Sequence, residues 1–109
     1  MDRRKSILVI EDNRDILVAY TRILEENYNV VPVLYSECVN IPREKFDGAI
    51  IDGLNGEWEK VAEKINVVAE KINVISTVNK YVEGAIKKGF KGINRLDDLS
   101  YDKLERILE

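Results

Sequence analysis

The chain contains no histidine, no glutamine, one cysteine and two prolines in 109 residues. Without histidine it has no Ser-His or Cys-His nucleophile pair, no imidazole metal ligand and no site for a phosphohistidine. The single cysteine, Cys38, excludes an internal disulfide and a multi-cysteine metal site, and reads as a small, partly buried apolar residue. No apolar run approaches the roughly 18 residues of a membrane span, and no signal peptide is visible. The expectation is therefore a cytoplasmic protein without a membrane partner. Large charge of one sign is also missing. The net charge is −3, and the basic run Arg3-Arg4-Lys5 reads as a solvated flank, so direct nucleic-acid binding is not expected. The phosphate-cradling patterns G-x-x-x-x-G-K-[ST] and G-x-G-x-x-G are absent, which argues against an NTPase or a dinucleotide enzyme. What remains is ordinary for a globular domain, with 45% hydrophobic and 34% charged residues. The length suits one domain spanning residues 1–109. The shortage of glutamine beside abundant Lys, Glu and Ile leans toward a thermophile's composition.

Against this background one stretch stands out. Ile7-Leu8-Val9-Ile10 is a continuous apolar run that meets two adjacent carboxylates, Glu11 and Asp12. Such a run reads as a strand buried on both faces, the kind found in parallel sheets covered by helices. Ala49-Ile50-Ile51-Asp52 repeats the pattern. In open α/β sheets the binding crevice lies at the carboxyl ends of the strands, so three acids are expected to converge there. The remaining apolar spacings alternate between strand and helix. They predict strands near 7–10, 30–34, 48–52, 73–76 and 92–96. Helices are predicted near 14–26, 57–70, 79–88 and 100–109, with a weak helical segment at 37–45 limited by Pro42. Pro32 cannot donate to a ladder and marks the second strand as an edge. Asp12 or Asn13 supplies the first N-cap, and Gly89 stops the fourth helix. Ala62-Glu63-Lys64-Ile65-Asn66-Val67-Val68 is nearly repeated as Ala69-Glu70-Lys71-Ile72-Asn73-Val74-Ile75. The first copy is expected as helix and the second as the passage into strand four. The order is βα five times over, which right-handed crossovers wind into a parallel sheet with helices on both faces.

Clustered carboxylates repel unless one is protonated or a cation lies between them. Oxygen ligands from carboxylates, a backbone carbonyl and water suit Mg²⁺. A carboxylate beside that ion can act as nucleophile toward phosphorus and form an acyl phosphate. Ser76 and Thr77, at the end of strand four, are placed to bond a new phosphoryl oxygen.

Over essentially its whole length the chain resembles the receiver domain of two-component response regulators. The resemblance rests on Ile7 to Asn13 with Asp15-Ile16-Leu17, on Ala49-Ile50-Ile51-Asp52, on Val74-Ile75-Ser76-Thr77 and on the Gly84-to-Gly92 segment. It implies a flavodoxin-like (βα)5 three-layer fold. It implies Mg²⁺ held by Glu11, Asp12, Asp52 and the Leu54 backbone carbonyl, and Asp52 as acceptor of a phosphoryl group from a histidine kinase or phosphotransfer protein. Thr77 or Ser76 is then the switch hydroxyl, with Thr77 slightly preferred. The implied role is a signalling domain, with at most self-catalysed phosphorylation and dephosphorylation. Tyr81 and Tyr101 fall on the face of helices four and five through which such domains pair, so a homodimer through helix four, strand five and helix five is a candidate.

Four departures accompany the resemblance. The loop Gly53-Leu54-Asn55-Gly56 is shorter than usual and the second helix is reduced. The strand-five position that usually holds an aromatic falls on Ile93. The strand-five lysine followed by proline is missing, and the best-aligned cation is Arg95, one position short; Arg pairs with phosphate but is not interchangeable with Lys at a tight site. Asn94 is the other candidate to face the site. The alternative reading is a pseudo-receiver, a protein-interaction module independent of phosphorylation. A small phosphatase using Asp52 as nucleophile is disfavoured, because Gly53-Leu54-Asn55 offers no acid close behind it. Trp58, at the start of helix three, is expected to pack over the loop after Asp52.

Overall fold

A computed structural model describes residues 4–36, 40–42, 44–66 and 71–94. Its five strands are β1 (Ser6–Glu11), β2 (Asn29–Leu34), β3 (Gly48–Asp52), β4 (Ile72–Ser76) and β5 (Lys91–Asn94). Its helices are α1 (Arg14–Leu24), α2 (Trp58–Ile65) and α3 (Asn79–Lys87), and a 3-10 turn (Leu54–Gly56) leads into α2. All strand pairs are parallel, in the order β2-β1-β3-β4-β5. The chain thus steps outward from β1 to β2 and then crosses to β3 on the other side of β1. The crevice beyond the carboxyl ends of β1 and β3 is the topological switch point of this winding.

The apolar runs behave as their composition requires. β1 and β3 are central and buried on both faces, while β2, with Pro32, lies at the edge. Ile7, Val9, Ile50 and Ile75 pack with Leu17, Tyr20 and Leu24 of α1 on one face. Leu8, Ile10, Ala49, Ile51 and Val74 pack on the other with Trp58, Val61 and Ile65 of α2 and Ala85 of α3. The period-2 alternation of the strands therefore divides one apolar run between two cores. Asn13 caps α1: its Oδ1 accepts from the backbone N–H groups of Asp15 and Ile16 at 3.0 and 3.2 Å. α3 ends at Gly89, whose φ of +91° suits glycine, and the Phe90 N–H reaches the Ala85 carbonyl at 3.0 Å.

Three expectations differ in extent. α2 ends at Ile65 rather than near 70, although residues 67–70 are outside the described set. β5 (Lys91–Asn94) begins one residue before the expected 92, and the expected end at 95–96 lies outside the described residues. The weak helix at 37–45 does not form over its described residues, 40–42 and 44–45; Cys38 lies outside them. There Tyr35 and Ile41 pack in coil against the core, and Pro42 gives no helical hydrogen bond. Helix five, Arg95 and Tyr101 also lie outside the described residues. The near-repeat does split between structures. Ile65 closes α2, whereas its counterpart Ile72 opens β4. The sheet provides a ladder between β3 and β5 for the second copy, and that tertiary pairing outweighs the shared local propensity.

Ile51 tests the core directly. It is fully buried in the central strand, so Ile51→Ala should destabilise the protein by about 2–5 kcal/mol. Val18→Ala, on the exposed side of α1, should cost under about 0.5 kcal/mol, both read as shifts in the urea unfolding midpoint.

Candidate functional site

The β1–β3 register sets Ile10 beside Ile51, so the next residues, Glu11 and Asp52, emerge side by side. Asp12 follows on the loop. Oxygens from the three carboxylates lie within 4.8 Å of one another. They open into a cleft of about 190 Å³ whose wall includes Ser76, Thr77 and Tyr81. Glu11 and Asp52 are buried, while Asp12 is exposed. None of the described residues lining the cleft carries a positive charge.

Burial is the first cause that raises the Glu11 carboxyl, from the usual 4.5 to about 9. Its hydrogen bond with Asp52, and that neighbour's negative charge, push in the same direction; the Asn13 N–H, 3.2 Å from Oε1, opposes them. At neutral pH without a cation Glu11 is therefore protonated and shares hydrogen bonding with Asp52. A divalent cation would displace that proton and satisfy the same oxygens. The donor set, carboxylate oxygens with one exposed side, fits a hard cation such as Mg²⁺.

The loop after Asp52 shapes the other wall. Asp52 Oδ2 accepts from the Leu54 N–H at 3.1 Å. Leu54 has φ of +50°, a conformation that costs a non-glycine residue of order 1–3 kcal/mol, and its buried side chain holds it there. Its carbonyl accepts from the Glu57 N–H at 3.0 Å. Glu57 in turn accepts from the Tyr35 hydroxyl at 2.7 Å, tying the loop to the end of β2.

Of the sequence candidates, Glu11, Asp12, Asp52, Leu54, Ser76 and Thr77 all line this one cleft. Ser76 is the last residue of β4 and is buried; its Oγ accepts from the Val78 N–H at 3.0 Å. Thr77 is exposed on the following loop. Tyr81, in the first half of α3 and expected on a pairing face, also lines the cleft. Its signal in the sequence was the glycine pair Gly53 and Gly56, against whose backbone its ring lies. Trp58 is buried in the α2–α3 core, where it meets Gly84 of α3.

No family model and no curated protein matches the sequence. Solved structures do match. A response regulator from Thermotoga maritima superposes with a TM-score of 0.70 at 20% identity, covering 96% of this chain and 98% of that one. The fold is that of a receiver domain. A BeF3-activated DrrB receiver domain agrees, with a TM-score of 0.71 at 15% identity over 96% of this chain and 97% of that one. An adenylate cyclase from Rhodopirellula baltica superposes equally well, at 0.72 and 16% identity, over 95% of this chain and 84% of that one. One backbone thus carries differently named proteins, and the chemistry must be argued from the cleft. Among the described residues no helix is long and apolar enough to cross a membrane.

The raised Glu11 carboxyl has a signed consequence. The folded state holds a proton that the unfolded chain releases above about pH 4.5. Without divalent cations, stability should therefore fall as pH rises from about 4.5 toward 9. Urea unfolding at pH 5 and pH 8 reads this slope, and Glu11→Gln should flatten it.

Proposed function

We propose that the protein is a phosphoacceptor receiver domain of a two-component relay, with Asp52 as the acceptor. The observation that carries this reading is the convergence of Glu11, Asp12 and Asp52 within 4.8 Å at the switch point of a receiver fold. An acidic trio without a lining cation suits a site that takes up Mg²⁺ before it takes up a phosphoryl group.

In this reading Glu11, Asp12, Asp52 and the Leu54 carbonyl hold Mg²⁺. When bound, the ion would supply positive charge that offsets the negative charge on the three oxygens of the transferring group. A carboxylate oxygen of Asp52 attacks the phosphorus of a phosphohistidine on a kinase or phosphotransfer partner. The P–O bond forms as the P–N bond breaks, and the nitrogen keeps its electron pair and leaves as imidazole. The Leu54 N–H orients the Asp52 carboxylate through Oδ2. Ser76 supplies the hydroxyl that bonds the new phosphoryl oxygen, because it is buried at the strand end beside Gly53; exposed Thr77 is the second candidate. Arg95 is the candidate cation in place of a strand-five lysine. The domain acts as a signalling element in the cytoplasm, with its own residues supporting at most self-catalysed acylation and hydrolysis.

Two measurements check the reading. With Mg²⁺ and a small phosphodonor, the intact mass should rise by one phosphoryl group in the wild type and not in Asp52→Asn. A wild type that gains no mass would remove the proposal. Mg²⁺ alone should raise the thermal midpoint at pH 8, by about 2.7 kcal/mol of stability at a hundredfold excess over Kd. Asp12→Asn should reduce that gain.

A further inference from the structure

A divalent cation alone does not balance the charge of the acidic cleft. Oxygens of Glu11, Asp12 and Asp52 lie within 4.8 Å of one another, and no described lining residue is cationic. A dication offsets most of the charge on three carboxylates. Acylation then turns the Asp52 carboxylate into a neutral acyl linkage and adds a group carrying about two negative charges. The loaded cleft is therefore more negative than the metal-bound one by about one charge. A further cation has to come from beyond the lining.

Lys80 is placed to be that cation. It precedes Tyr81 in the first turn of α3 and is exposed. Its Nζ lies 5.6 Å from the centroid of the Tyr81 ring. That ring belongs to the cleft wall, with Asp52, Gly53, Ser76 and Val78. A Cβ on Gly53 would lie 2.8 Å from Tyr81 Cδ2 and 2.6 Å from Ser76 Oγ, so the ring edge and the Ser76 hydroxyl border one small space. One ring thus adjoins both the ammonium and the part of the wall that holds Ser76. Attraction of an ammonium to an aromatic face is weak at an exposed site. The lysine stem is long and flexible, and a phosphoryl dianion is a stronger partner than the ring.

Helix stability does not account for a lysine at this position. A cation in the first turn is opposed by the positive end of the helix dipole. α1 begins beside the same cleft in the favourable way, with Asn13 bonding two N–H groups and Asp15 in the first turn. α3 has no acid in its first turn, and its N-cap, Val78, makes no side-chain bond.

We propose that Lys80 supplies the positive charge that the phosphorylated cleft lacks, moving from the Tyr81 ring to the phosphoryl oxygens once Asp52 is acylated. The inference rests on the reading of the cleft as a Mg²⁺ and phosphoryl site. The ammonium keeps its protons and forms no covalent bond. It acts on the affinity for the phosphoryl group and not on the affinity for the metal. Arg95, outside the described residues, is the competing cation.

The test measures the two affinities separately by calorimetry on the full chain, with Mg²⁺ alone and then with beryllofluoride at saturating Mg²⁺. In Lys80→Gln the beryllofluoride Kd should rise about tenfold. The Mg²⁺ Kd should stay level or fall slightly, because a positive charge near the metal has gone. Lys80→Arg should bring beryllofluoride binding back to within about threefold of the wild type. Lys64→Gln makes the same change of charge in the last turn of α2 and should leave both affinities unchanged. Wild-type beryllofluoride affinity in Lys80→Gln overturns the inference, as does an equal loss in Lys64→Gln. So does a loss in Arg95→Gln that leaves Lys80→Gln at full affinity. A wild type that gains a phosphoryl group on Asp52 while Lys80→Gln binds beryllofluoride as tightly removes the role of Lys80 alone. A wild type that neither gains mass nor binds beryllofluoride removes the phosphoacceptor reading, and this inference with it.

Discussion

The parallel register of β1 and β3 is the constraint on which the rest depends. Both strands are buried on both faces, so neither can slip without carrying its apolar side chains to the wrong core. That register delivers Glu11 and Asp52 to the same level of the same face. The resulting proximity of two buried acids is unfavourable in itself, and it is held by the hydrophobic packing of Ile7, Val9, Ile50 and their neighbours against α1. Local electrostatic strain is thus maintained by burial elsewhere, as is common where a site must bind charge.

The surrounding elements serve the same end. The short loop after Asp52 turns through a left-handed Leu54 and feeds directly into α2, so the acidic residue, its N–H partner and the helix start form one tight unit. Tyr35 binds that loop from the side of β2, and Tyr81 from the side of α3. Tyr81 forms part of the cleft wall, while Tyr35 acts one step behind it through Glu57.

Much of this was legible in the chain. Continuous β-branched runs ending in acids identify buried parallel strands and the end at which chemistry sits, and Pro32 marks the edge. The acidic trio, the strand-end hydroxyl and the glycine-rich loop could all be named from spacing. Less legible were the length of α2, the coil around Pro42 and the place of Tyr81. Helix ends and coil depend on which partner surface is available, and the seat of Tyr81 depends on the space that Gly53 and Gly56 leave open.

The sequence by itself determined the alternation of strand and helix, because apolar periodicity and caps act over a few residues. It also determined the sign of the site, because acids follow the two buried runs. Only the tertiary structure decided that near-identical heptapeptides become helix and strand. It alone raised the Glu11 carboxyl, since that shift needs the burial and the neighbouring carboxylate that β3 brings. It alone seated Tyr81 beside Ser76 and Trp58 under α3. The pairings of Glu11 with Asp52, Tyr81 with Gly53 and Trp58 with Gly84 join residues more than twenty positions apart, and no local pattern records the distance between them once the chain has closed.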